Sequence, residues 1–110
     1  KAYLCNVGVK YFTNVIVSNK YHIVKRIYLF TEYLPIINPN YNKECIKEFA
    51  EKISNSKLLY HPDFWYKNIC VTTSNELRAI DWGGIPEDIK NITKIRSLNM
   101  MMSSYRESCN

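Results

Sequence analysis

Glycine is scarce in this 110-residue chain, occurring three times. Gly8 stands alone and the other two are adjacent, at 83 and 84, so the sequence has no Gly-rich loop of the kind that cradles phosphates. Long apolar runs are missing too, and nothing approaches the roughly 20 residues that span a bilayer. The first residues show no basic stretch leading into an apolar run, so no secretory leader is expected. Lys1 in first position is read as a start inside a longer product. The four cysteines, Cys5, Cys45, Cys70 and Cys109, form no CxxC pair and have no histidine at metal spacing. Free thiols in a reducing, cytoplasmic setting are the expectation, with a disulfide pair or a structural zinc as alternatives. Repeats and low-complexity tracts are absent from the sequence.

What is present is ordinary for a packed domain: 46% hydrophobic and 23% charged residues, with nine Tyr and two Trp as large amphipathic core pieces. The net charge of +5 favours anionic ligands such as nucleotide, nucleic-acid or lipid phosphate, but the cations are spread along the chain as on a solvated surface. Lys20, Lys25 and Arg26 form a basic patch on one reading and a solvated face on the other.

The first third is strand-like. Val15-Ile16-Val17, the turn residues Ser18-Asn19-Lys20 and the β-rich stretch from Tyr21 to Tyr33 read as an antiparallel hairpin. That stretch includes His22, for which no role is assigned. Pro35, Asn38, Pro39 and Asn40 then break regular structure. Asn42 is a plausible N-cap for a helix from Lys43 to Ser56, with Cys45, Ile46, Phe49 and Ile53 on one face. His61-Pro62-Asp63 is loop, Asn68 to Thr72 a short strand, Thr73 to Glu76 a turn, and Leu77 to Ile80 the return strand. From Pro86 to Tyr105 helical spacing returns through Ile89, Ile92, Ile95, Leu98 and Met102, with Thr93 as a point of interruption. Met100, Met101 and Met102 are expected as adaptable core filling. The fold class is α+β.

One block carries chemistry: His61-Pro62-Asp63-Phe64-Trp65-Tyr66-Lys67-Asn68, followed after a hairpin by Ile80-Asp81-Trp82-Gly83. Phosphoryl transfer relies on positioning and charge stabilisation. It needs one carboxylate to orient and deprotonate the attacking hydroxyl, and oxygen ligands for magnesium. Asp63 and Asn68 at the ends of one short loop, with Asp81 at the end of the return strand, bring three oxygen-bearing side chains towards one volume. Gly83 is expected to let the chain turn sharply beyond Asp81. Taken singly, Asp81 before Trp82-Gly83 is also ordinary turn chemistry.

In these residues the chain resembles the protein-kinase-like superfamily. It is more similar to the branch of lipopolysaccharide core kinases and aminoglycoside and choline phosphotransferases than to eukaryotic protein kinases. The matches are His61, Asp63, Asn68, Asp81 and Gly83, with apolar Ile69, Val71 and Ile80 in the strands. Ile27 to Leu34 is similar to the strand and hinge that hold the adenine ring.

The resemblance implies a single kinase-like domain over 1–110, truncated at its N-terminus. Residues 1–34 would be a hairpin and hinge remnant of the N-lobe, and 35–110 the helical catalytic lobe. It further implies Asp63 as catalytic base, Asn68 and Asp81 as metal ligands, and His61 and Gly83 as structural support. Glu32, Tyr33 and Leu34 would present backbone groups to the nucleotide. ATP and Mg2+ are the implied cofactors, and the implied activity is phosphoryl transfer to a hydroxyl on a sugar, glycolipid or small molecule. Departures from the pattern are the missing Gly-rich loop, the missing strand lysine, Pro62 after His61, and bulky Trp65 and Tyr66. They keep open a catalytically inactive kinase-like module that binds a protein partner, one that supplies or replaces the N-lobe. A small basic binding domain is the third reading.

Overall fold

The computed structural model describes residues 7–56, 60–83 and 91–110. It is a small α+β structure of two antiparallel two-stranded hairpins and two helices. Strands β1 (Tyr11–Ser18) and β2 (Val24–Thr31) form the first hairpin. Helix α1 (Lys43–Ser54) follows, then β3 (Ile69–Val71), β4 (Leu77–Ala79) and helix α2 (Lys94–Ser108). No helix among the described residues is long and apolar enough to cross a membrane.

The first hairpin turns later than the sequence implies. Asn19 folds its side chain back to accept from the amides of Tyr21 and Ile23, and its own amide closes the turn on the Ile23 carbonyl at 3.0 Å. His22 therefore sits in the turn at φ 62°, not in a strand. β2 begins at Val24 and not at Tyr21.

Helix α1 starts where expected, with the Asn42 side chain accepting from the Glu44 amide at 2.9 Å. It ends at Ser54, two residues short of the expected Ser56. The Ser54 and Ser56 hydroxyls donate to the Glu51 and Ile53 carbonyls, so side chains take over the last turn. The start expected for α2 at Pro86 lies outside the described residues. Thr93 is the N-cap of the helix, its hydroxyl accepting from the Arg96 amide at 3.2 Å. The buried stripe of α2 is Ser97, Met101 and Tyr105, four apart, while Ile95 faces solvent. Leu98 and Met102 only flank that stripe.

The core lies between α1, α2 and the β3–β4 hairpin. Ile46, Phe49, Ala50 and Ile53 meet Ile69, Ala79, Met101 and Tyr105, and Phe64 fills the centre. The first hairpin is pinned to this lobe at both roots. On its way in, the chain places the Val7 carbonyl 2.6 Å from the Ala79 amide, along β4. On its way out, the Pro35 carbonyl accepts from Val71 and the Ile37 amide donates to Ile69, along β3. Cys45, Cys70 and Cys109 are free thiols, and Cys5 lies outside the described residues.

Candidate active site

The loop from Tyr60 to Asn68 is held by its own aromatic side chains. Phe64 is 1% exposed, with its ring centroid 6.0 Å from Phe49 and 6.3 Å from Tyr105. Sinking Phe64 into the core fixes its chain neighbour Asp63 at the surface of the lobe. A single 3-10 turn (Tyr66–Asn68) then returns the chain to β3, with the Asn68 amide on the Trp65 carbonyl at 2.8 Å.

His61 is the buried hub. Its Nδ1 accepts from the Asp63 amide at 3.0 Å, so the ring proton sits on Nε2 and donates to the Ile80 carbonyl at 2.8 Å. Burial lowers the His61 pKa, and the Ile80 carbonyl and the Asp63 and Asp81 carboxylates oppose that shift. A neutral imidazole is also the form the geometry requires, because Nδ1 must keep its lone pair. Trp82 covers the ring at a centroid distance of 4.4 Å and donates its indole proton to the Ala79 carbonyl. Below, the His61 amide points at the Met101 sulfur of α2 at 3.4 Å.

Asp63 and Asn68 are brought together directly. Asn68 Nδ2 donates to the Asp63 carbonyl at 2.9 Å and to Asp63 Oδ2 at 3.1 Å. The amide is thereby oriented, and its Oδ1 is left free to accept. Asp81 arrives by a different route. The Ile80 amide donates to the Asn68 carbonyl at 2.8 Å while the Ile80 carbonyl takes the His61 proton, so the peptide before Asp81 is clamped on both sides. Asp81 itself adopts φ 60°, the left-handed region that few residues other than glycine enter. The sharp turn expected at Gly83 falls here instead. Gly83 has no positive φ, and a Cβ there would meet nothing within 4 Å.

Glu32, Tyr33 and Leu34 lie where β2 leaves the hairpin, and no hydrogen bond among the described residues joins them to this cluster. The Glu32 carboxylate accepts from the Lys10 amide at 2.9 Å, and Tyr33 projects into solvent. No hydrogen bond among the described residues engages the backbone of Tyr33 or Leu34. Beside the loop, a hollow of about 500 Å³ is lined by Trp65, Tyr66, Lys67, Glu107, Ser108 and Asn110.

Among the described residues no three His, Cys, Asp or Glu side chains gather as a metal site. Asp63, Asn68 and Asp81 instead offer two carboxylates and one amide oxygen. Of the three, Asp63 and Asn68 meet through their side chains, and Asp81 is tied to them through the Ile80 peptide.

Sequence reasoning missed the supports. By the resemblance Trp82 stands where the kinase-like motif more often has Phe after its aspartate, but nothing in the sequence shows that it lids His61. Met101 and Ser108, which meet the His61 and Tyr66 amides, lie 40 and 42 residues further along the chain, and no local signal links them. Their four-residue spacing from Tyr105 and Ser104 along α2 marks a helix face at most.

No protein-family model matches the chain, and no match was found among curated proteins or among solved structures.

Proposed function

We propose that the chain is a magnesium- and ATP-dependent phosphotransferase, of the kinase-like kind, acting on a hydroxyl acceptor. The observation that carries this reading is the joining of Asp63, Asn68 and Asp81 through a single buried histidine and a doubly bonded Ile80 peptide. Metal-bound nucleotide chemistry needs carboxylates whose positions survive the arrival of a cation, and these are held through backbone as well as side chains. Asp63 is the base, its free carboxylate oxygen accepting the acceptor proton. Asn68 and Asp81 would hold the magnesium, which would supply shielding of the phosphate charge. His61 positions both without touching substrate. Tyr33 and Leu34 offer the nucleotide base their backbone groups. The hollow beside Trp65 offers a ring face and the Lys67 ammonium to a sugar or a small anionic acceptor.

A second reading, an inactive kinase-like module, rests on departures within the loop itself, Pro62 after His61 and the bulky Trp65 and Tyr66, which would crowd a substrate. Calorimetric titration of the chain with ATP, with and without magnesium, separates the two. The first reading expects magnesium-dependent binding that weakens at least about tenfold in Asp81→Asn, a loss of about 1.4 kcal/mol. Asparagine tolerates the left-handed backbone, so that variant removes charge and not fold. A folded chain that binds no nucleotide at millimolar concentration overturns the enzymatic reading and leaves the second.

A further inference from the structure

The first hairpin is built like the inside of a sheet and stands outside one. Opposed residues share a face, so Val15, Val17, Tyr28 and Phe30 lie on one side. Ile16, Ile27 and Leu29 lie on the other. Apolar side chains on both faces mark strands covered on both sides. Yet every residue of β2 is exposed, and the large apolar residues from Phe12 to Phe30 are each between 40% and 69% exposed. Neither strand packs extensively on any other element. With aromatic side chains alone able to cover about 150–250 Å² each, the exposed apolar surface is on the order of 1,000 Å². That exceeds the few hundred Å² usual on a monomer, and matches the roughly 800 Å² per partner of a stable interface.

Three features decide what fits. The hairpin has two strands and hence two open edges, whose amides and carbonyls need hydrogen-bonding partners. Hydrocarbon cannot supply them, which excludes burial in a bilayer. From Val7 to Thr31 the chain has Lys10, Lys20, Lys25 and Arg26 and no acidic residue. None of these cations is in a salt bridge with a carboxylate among the described residues. A second copy would bring the same cations and no carboxylate from this segment, so it offers Lys20, Lys25 and Arg26 no opposite charge. Tyr28 and Phe30 on one face could stack bases, but nucleic acid would leave the Ile16, Ile27 and Leu29 face uncovered and the open strand edges unpaired, which a strand-forming protein would not.

We propose that the β1–β2 hairpin is a docking surface for a strand-forming, acidic partner protein. The partner adds a strand to an open edge, covers the apolar faces, and sets its carboxylates against Lys20, Lys25 and Arg26. This inference is independent of the phosphotransferase reading, since it uses no residue of the Asp63–Asp81 cluster.

The test uses the whole chain and labelled ten-residue peptides alternating Val or Tyr with Glu, or with Lys, and an acidic peptide interrupted by proline. Anisotropy is expected to show the acidic peptide binding at least about tenfold tighter than the basic one, from a few cross-strand charge pairs. The proline-broken peptide should not bind, because it cannot continue a ladder. The double variant Lys25→Glu/Arg26→Glu should reverse the charge preference, while its circular dichroism and melting stay as in the parent chain, because the hairpin contributes nothing to the core. Equal binding of both peptides, or none, overturns the proposal. So does binding to phosphatidylserine vesicles in place of the peptides, or a dimer in sedimentation that the acidic peptide fails to dissociate.

Discussion

The two hairpins of this protein use the same residues to opposite ends. β3 and β4 place Ile69 and Ala79 at zero exposure and are three residues long. β1 and β2 are eight residues each, richer in Val, Ile, Tyr and Phe, and bury almost none of them. Strand propensity is therefore not what decides burial. The short hairpin is buried because α1 and α2 each offer it one apolar stripe, and both its edges are met by the roots of the long one. The long hairpin keeps its register through cross-strand pairs and the Asn19 turn alone, and a two-stranded ribbon without cover is marginal in water. Stability in this molecule should thus be concentrated in the lobe, with the hairpin opening at much lower free energy.

Truncation is the strongest way to break that contrast. Phe64→Ala removes a ring packed between Phe49 and Tyr105 and is expected to cost about 3–5 kcal/mol in urea unfolding. Leu29→Ala, a comparable deletion on the exposed hairpin, should stay within about 0.5 kcal/mol. Equal losses at the two sites would mean that the hairpin is covered in solution by part of the same molecule.

Acid should separate the regions next. Burial lowers the His61 pKa below that of the unfolded chain. Between the two values the unfolded chain binds the extra proton, so stability is fully present above about pH 6.5 and is lost as pH falls towards the lowered value. Protonation would also break the Nδ1 bond to the Asp63 amide and disturb the loop that orders Asp63 and Asn68. Unfolding followed from pH 8 to pH 5 should therefore weaken in the parent chain and much less in His61→Gln. Hydrogen exchange in the hairpin, which does not pack on His61, should not follow the same curve. A parent chain whose stability is flat over that range would remove His61 as the hub.

What could be read from the sequence follows the same division. Helix α1, with its Asn42 cap and one apolar face, was legible because cap and periodicity are local. Asp63 and Asn68 were legible as a pair by their spacing, and the structure joins them by a hydrogen bond. The clamp on Ile80 was not, because it is made by backbone groups whose partners no side-chain pattern names. Ile95 in α2 is one of the apolar residues that mark the helical spacing, yet it faces solvent. The face that packs is shifted to Ser97, Met101 and Tyr105, where a serine allows close approach of the helix. The hairpin was legible as strands, but its exposure was not, since apolar residues on both faces say only that cover is needed.

A smaller effect tests the lobe's helix starts. Asn42→Ala leaves the Glu44 amide without its side-chain acceptor and is expected to cost about 1 kcal/mol. Because α1 supplies one wall of the core, the loss should appear in global unfolding. If it appears only as local fraying in hydrogen exchange, the first turn of α1 is uncoupled from the core that Phe64 anchors.

An effect of similar size has the opposite sign. Tyr105 is 1% exposed, and its buried hydroxyl has no nitrogen or oxygen partner among the described residues, only the weakly bonding Cys109 thiol beside it. Burial, and after it the neighbouring Cys109 thiol, pushes its pKa well above the ordinary value of 10. An unmet buried hydroxyl is a cost the rest of the ring's packing must offset. Tyr105→Phe keeps the ring against Phe64 and removes that oxygen, so stability should rise by about 1 kcal/mol at neutral pH. The gain should widen above pH 10, where the unfolded parent chain loses a phenolic proton that the folded one retains, while Tyr60, also raised by burial, keeps part of the alkaline loss in both. A loss of stability in Tyr105→Phe would mean that the hydroxyl is satisfied in solution, by Cys109 or by a buried water. The lobe would then be less closed than its contrast with the open hairpin requires.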